Sequence, residues 1–172
     1  MRFLQIIAAF LFSATFLGGC FSVPDYPNVP EIEFSDIQSI LRVDEVTGGY
    51  KDSVIISLKF RDGDGDLGYM QQEIDSLARA GGGHNFLVKQ FRRVKGKYVL
   101  YEPLESQSGY FHRLSADKPG PIEGTIHYSG IQVYHSFYPY AKDTVKFEIY
   151  IRDRAGNISN TILTDSVILR PI

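Results

Sequence analysis

Thr144 to Arg152, TVKFEIYIR, sets an apolar side chain at every second position, a period of two that fits a half-buried strand and no helix. The same alternation runs, with interruptions, through Ile32, Phe34, Ile37 and Ile40 of Glu31 to Val43. It returns in Ser53 to Phe60 (SVIISLKF) after a Thr47-Gly48-Gly49 turn. Asn85 to Val94 and Lys97 to Tyr101 flank Lys95-Gly96, a hairpin signal. Gly109 to Leu114 fits an edge strand, bounded by the turn-rich Lys118-Pro119-Gly120-Pro121. Ile122 to Tyr128 and Ile131 to His135 fit two strands that pair with each other, and Thr161 to Leu169 closes the chain. Roughly seven to nine strands joined by glycine and proline turns specify an all-β chain, an immunoglobulin-like or fibronectin III-like β-sandwich. Leu67, Met70, Ile74 and Leu77 fall at helical spacing before Gly81-Gly82-Gly83, so Leu67 to Ala80 forms either one short helix or a structured loop.

The first residues obey a different rule. Arg2 supplies a positive start, Phe3 to Phe16 are mostly apolar, and Leu17-Gly18-Gly19-Cys20 follows, which is the order of a signal peptide over 1–19. Leu17-Gly18-Gly19-Cys20 resembles the lipobox of bacterial lipoproteins, and the resemblance implies cleavage before Cys20 and acylation of that residue. Cys20 is the sole cysteine and has no disulfide partner within the chain. Several acyl chains, at about 0.8 kcal/mol per buried methylene, hold a protein stably on a membrane. Phe21 to Pro30 (FSVPDYPNVP) carries three prolines and no apolar periodicity, so 20–30 reads as a lipidated cysteine and extended tether, and 31–172 as the folded domain. The residue after Cys20 is not aspartate, which by resemblance to enterobacterial sorting implies the outer membrane, with its periplasmic and surface faces both open. A formal charge of -2 with both signs interspersed argues against nucleic acid as a partner.

Arg61-Asp62-Gly63-Asp64-Gly65-Asp66-Leu67-Gly68 places three carboxylates at alternate positions directly after a strand. Carboxylates this close repel unless a cation lies among them, and calcium takes six to eight oxygens. Counted as an EF-hand-type loop, Asp62, Asp64, Asp66 and Glu73 fall at positions one, three, five and twelve, the expected calcium set. Leu67 stands where that loop has glycine, and a strand rather than a helix leads in, so the segment is not an EF-hand. A solvated turn built on aspartate and glycine propensity is the alternative.

Phe60 to Gly68 resembles the F-x-D-G-D-G-D-[LI]-G segment of small lipoproteins of Bacteroidota-type bacteria, and Asp153-Arg154-Ala155-Gly156-Asn157-Ile158-Ser159 is similar to the hairpin before the last strand of many bacterial immunoglobulin-like domains. The resemblance implies an envelope β-sandwich and transfers no activity. Asp52-Ser53-Val54, Asp75-Ser76-Leu77, Asp143-Thr144-Val145 and Asp165-Ser166-Val167 resemble the D-[ST]-aliphatic site at which such bacteria glycosylate exported proteins.

Tyr134, Phe137, Tyr138 and Tyr140 crowd around Pro139. Such a cluster either packs a strand connection over the core or offers a platform for a glycan or protein partner. His84, His112, His127 and His135 are scattered, and neither a G-x-S-x-G elbow nor a phosphate-cradling glycine loop is present. The expectation is therefore a membrane-anchored, non-catalytic binding or adhesion module, or an accessory subunit of an outer-membrane assembly with a protein partner in the envelope. A carbohydrate-binding lipoprotein and a purely structural envelope protein are the alternatives.

Overall fold

A computed structural model describes residues 24–115, 119–134 and 143–169. These residues form an all-β sandwich of two antiparallel sheets, with one short helix among them. The elements are β1 (Glu31–Val43), β2 (Tyr50–Asp62), α1 (Gln71–Ala80), β3 (Phe86–Val94), β4 (Lys97–Tyr101), β5 (Ile122–Tyr134), β6 (Thr144–Ile151), β7 (Ile162–Leu163) and β8 (Val167–Ile168). One sheet runs β1-β2-β5; the other runs β4-β3-β6-β7, with β8 also paired to β6. The chain thus changes sheet between β2 and β3, between β4 and β5, and between β5 and β6.

Alternation decides which face is buried. Val54, Ile56, Leu58 and Phe60 of β2 meet Val145, Phe147, Ile149 and Ile151 of β6 in one core, together with Ile126, Tyr128, Ile131 and Val133 of β5. Each fully buried aliphatic or phenyl side chain here contributes roughly 1.5–3 kcal/mol. Phe86 stacks on Tyr128 with ring centroids 3.9 Å apart, and burial pushes the Tyr128 hydroxyl up to about 12.

The structure corrects three strand boundaries. Ile122 to Tyr128 and Ile131 to His135 are not a hairpin: Ile122–Tyr134 is one strand, paired along its length to β2. The register shifts between Val54 and Ile56, opposite Ser129-Gly130, which marks a bulge. The extra residue resets the side-chain phase, so that Ile126 and Tyr128 before it and Ile131 and Val133 after it all face the core. Gly109 to Leu114 forms no strand; its ladder pairing is limited to isolated bridges from Gly109 to Phe86 and from His112 to Tyr69. The side-chain amide of Asn85 takes the place of a strand edge, donating to Phe111 O at 3.1 Å and accepting from Phe111 N at 2.9 Å. Thr161 to Leu169 breaks into β7 and β8, because the Thr164 hydroxyl, rather than a carbonyl, accepts the Phe147 amide at 3.0 Å.

The Lys95-Gly96 hairpin holds as drawn, and the helix is present but shorter. Lys95 (φ 49°) and Gly96 (φ 83°) form a hairpin turn with two positive φ angles, joining β3 to β4. The helix starts later than its spacing suggests, at Gln71, with the Glu73 carboxylate accepting the Met70 amide at 2.8 Å and Gly81 (φ 75°) ending it. Leu67 belongs instead to the loop before it and is fully buried. Among the described residues no helix is long and apolar enough to cross a membrane.

Candidate metal centre

Asp62 ends β2, and the strand period that buries Val54, Ile56, Leu58 and Phe60 carries its carboxylate inward too, where it is 0% exposed. Its Oδ2 accepts the Asp66 amide at 3.1 Å, which curls the loop back on itself. Gly65 makes that curl with φ 73°, and a Cβ there would lie 2.5 Å from Gly120 O. Neighbouring segments grip the loop backbone: Gly120 N donates to Asp64 O at 3.1 Å and Ser115 Oγ to Gly65 O at 2.7 Å. Leu67, buried in the core, fixes the far end.

The outcome is a convergent set of oxygens. One carboxylate oxygen from each of Asp62, Asp64 and Asp66 lies within 4.8 Å of the others. The Oδ1 atoms of all three are shut off from solvent and have no hydrogen-bond partner. Burial first, and then the charges of Asp64 and Asp66, push the Asp62 carboxyl up to about 6. Burial also raises Asp66, followed by the charge of Asp153, while the Ala155 amide, donating at 2.9 Å, opposes the rise. Orphaned carboxylate oxygens in a water-poor pocket are costly unless a positive charge joins them. An all-oxygen set without imidazole or thiolate matches a hard cation, and a curled loop of carboxylates fits calcium better than magnesium, which holds octahedral geometry and retains its waters.

Glu73 is not part of this group. Its Oε2 caps α1 at Met70 and its Oε1 accepts from Arg154 Nη2 at 2.9 Å, so the fourth residue of the expected ligand set is engaged elsewhere. Asp153, 1% exposed, comes from the opposite sheet close enough for its charge to raise Asp66, but it stands outside the converging set. The Asp153 carboxylate accepts the Asn157 amide and the Asn157 side-chain amide, each at 2.7 Å, closing the Asp-Arg-Ala-Gly-Asn turn. That turn delivers the Ala155 amide to Asp66, so the two motifs linked only by resemblance in the sequence touch in space. The signal for Asp153 was present: Val145, Phe147, Ile149 and Ile151 point inward, and the same period continues to Asp153.

The remaining sequence-derived sites are scattered. Cys20, Phe137, Tyr138 and Tyr140 lie outside the described residues. Tyr134 ends β5, at the other end of the sandwich, with Lys51 Nζ 5.5 Å from its ring centroid. There it joins Tyr50, Tyr101, Gln107 and Glu105 in lining a cleft of about 710 Å³. Of the D-[ST] positions, Ser53 is buried within β2 and Thr144 is half-buried, whereas Ser76 on α1 and Ser166 between β7 and β8 are exposed. No family model, curated protein or solved structure matches the chain.

Proposed function

We propose that the protein is a lipid-anchored, non-catalytic β-sandwich of the outer membrane, acting as a binding or adhesion module or as an accessory subunit, whose Asp62-Asp64-Asp66 loop holds a structural calcium ion. The observation that carries the cation is the three buried Oδ1 atoms without partners. Their closure also supports a structural role, since catalytic metal sites keep an open position for substrate and structural ones do not. The immunoglobulin-like reading is supported by the strand partition. The first, second and fifth strands form one sheet and the third, sixth and last the other, as A, B, E and C, F, G do in that fold, while β4 stays beside β3. The anchor rests on the Leu17-Gly18-Gly19-Cys20 motif.

Calorimetric titration of calcium into the full-length chain in detergent, wild type beside Asp64→Ala, tests the cation. Saturable heat and a raised melting temperature in the wild type alone support it. A wild type with neither heat nor shift rejects it.

Capture of a glycan is a second reading, favoured by the meeting of Tyr50, Tyr101 and Tyr134 around one cleft. Tyrosine rings stack on sugar faces while their hydroxyls reach polar groups, and a cleft of this volume is typical of ligand sites. Glycan-array binding that Tyr101→Ala and Tyr134→Ala abolish supports it; an array without signal rejects it.

A further inference from the structure

The N-terminal segment does not hang free of the domain. Pro27 O accepts the Gly63 amide at 2.8 Å, and Gly63 sits between two of the converging aspartates. Tyr26 Oη donates to Glu123 Oε2 at 2.7 Å, and the Arg61 guanidinium lies 5.8 Å from the Tyr26 ring centroid. The fit against Gly63 leaves no room for a side chain: a Cβ there would stand 2.2 Å from Tyr26 O, 2.8 Å from Asn28 Oδ1 and 2.9 Å from the Pro27 carbonyl carbon. Pro30, just before β1, is buried. The segment therefore leans on the backbone of the loop whose curvature the carboxylates set.

We propose that the cation at Asp62, Asp64 and Asp66 clamps the tether, so that occupancy of the loop fixes how the domain stands on its anchor. The inference rests on the calcium reading above. A bound cation draws the three carboxylates together and holds Gly63 in the conformation that receives Pro27. Without it, repulsion among the aspartates favours an open loop, and the Gly63 to Pro27 contact loses its platform. Cys20 is six residues before Tyr26, a reach of about 20 Å when fully extended. The clamped end of the sandwich consequently faces the bilayer. The Tyr50 end lies about 40 Å away along β2, directed outward, which places the aromatic cleft where a partner from outside meets it.

Thermodynamic linkage supplies the test, because a cation that favours the docked tether must itself be favoured by it to the same extent. Calcium affinity is measured by calorimetry on the full-length chain in detergent for wild type, Tyr26→Ala and Gly63→Ala. Tyr26→Ala touches none of the converging carboxylates, and Gly63→Ala pushes the tether off by its new methyl group. Hydrogen exchange of the Gly63 amide, followed in calcium and after its removal, reports docking directly. In the Gly63→Ala chain the backbone amide at the same position is followed. The expected result is calcium affinity lowered at least threefold in both variants. Exchange of the wild-type Gly63 amide should slow at least tenfold in calcium, and Tyr26→Ala should lose that protection. Unchanged affinity in both variants, or protection that survives Tyr26→Ala, overturns the clamp and leaves the cation site standing. A wild type that takes up no calcium overturns the site and the clamp together.

Discussion

Asp62→Asn should change stability in opposite directions with and without calcium. In the metal-free protein the Asp62 carboxyl is pushed from 3.8 up to about 6 by burial and by its acidic neighbours. The folded state therefore holds this proton more tightly than the unfolded chain does. Its contribution is fully present below about pH 4 and is lost as pH rises through about 6. At about 1.36 kcal/mol per pH unit the rise corresponds to a loss of up to about 3 kcal/mol by pH 7. Asparagine can still accept the Asp66 amide through its Oδ1 but brings no charge. In calcium-depleted buffer at pH 7 the variant should accordingly be more stable than the wild type by up to about 3 kcal/mol, or about 6–12 °C in melting temperature for a domain of this size. The advantage should fade toward pH 4. With calcium at about 1,000 times its dissociation constant the wild type gains about 4.1 kcal/mol, the variant gains little, and the order reverses. Urea unfolding followed by circular dichroism from pH 4 to 8, with and without calcium, measures both effects. A difference between the two proteins that does not vary with pH in calcium-depleted buffer would refute the reasoning.

Three further outcomes follow from the packing. Leu67→Ala, at a fully buried position, should cost about 2–5 kcal/mol in urea unfolding and weaken calcium uptake, because the side chain anchors the loop. Gly68→Ala should destabilise by more than about 1 kcal/mol in the same assay, since φ is 86° and a Cβ would stand 2.2 Å from His112 O. Arg154→Ala should shift the unfolding free energy by no more than about 1 kcal/mol, because the pair it forms with Glu73 is partly exposed on both sides.

The strands and their buried faces were legible in the sequence because period two is a local property. Thr144 to Arg152 alternates regardless of what it packs against, and Lys95-Gly96 turns the chain with its own backbone angles. Pairings between distant residues were not legible. The side-chain amides of Asn85, Gln107 and Asn160 each bond both an N–H and a C=O of a strand or bridging segment, on Phe111, Gln132 and Ile32. Those partners lie 26, 25 and 128 residues away along the chain. Nothing in the residues near Gly109 says that an asparagine will stand in for a strand, and the slip at Ser129-Gly130 reads as a turn until β2 is seen running past it.

The aspartate loop divides along the same line. Its sequence alone determined that three carboxylates crowd within five residues, and that charge repulsion must be relieved. Only the tertiary structure decided which groups share the problem. Sheet packing sealed the three Oδ1 atoms from water, brought Asp153 across from the opposite sheet, turned Glu73 away to α1 and Arg154, and laid Pro27 against Gly63. Local spacing fixes how close neighbours in the chain must be, whereas solvent exclusion, which sets the energetic weight of those charges, arises only when distant strands close over them.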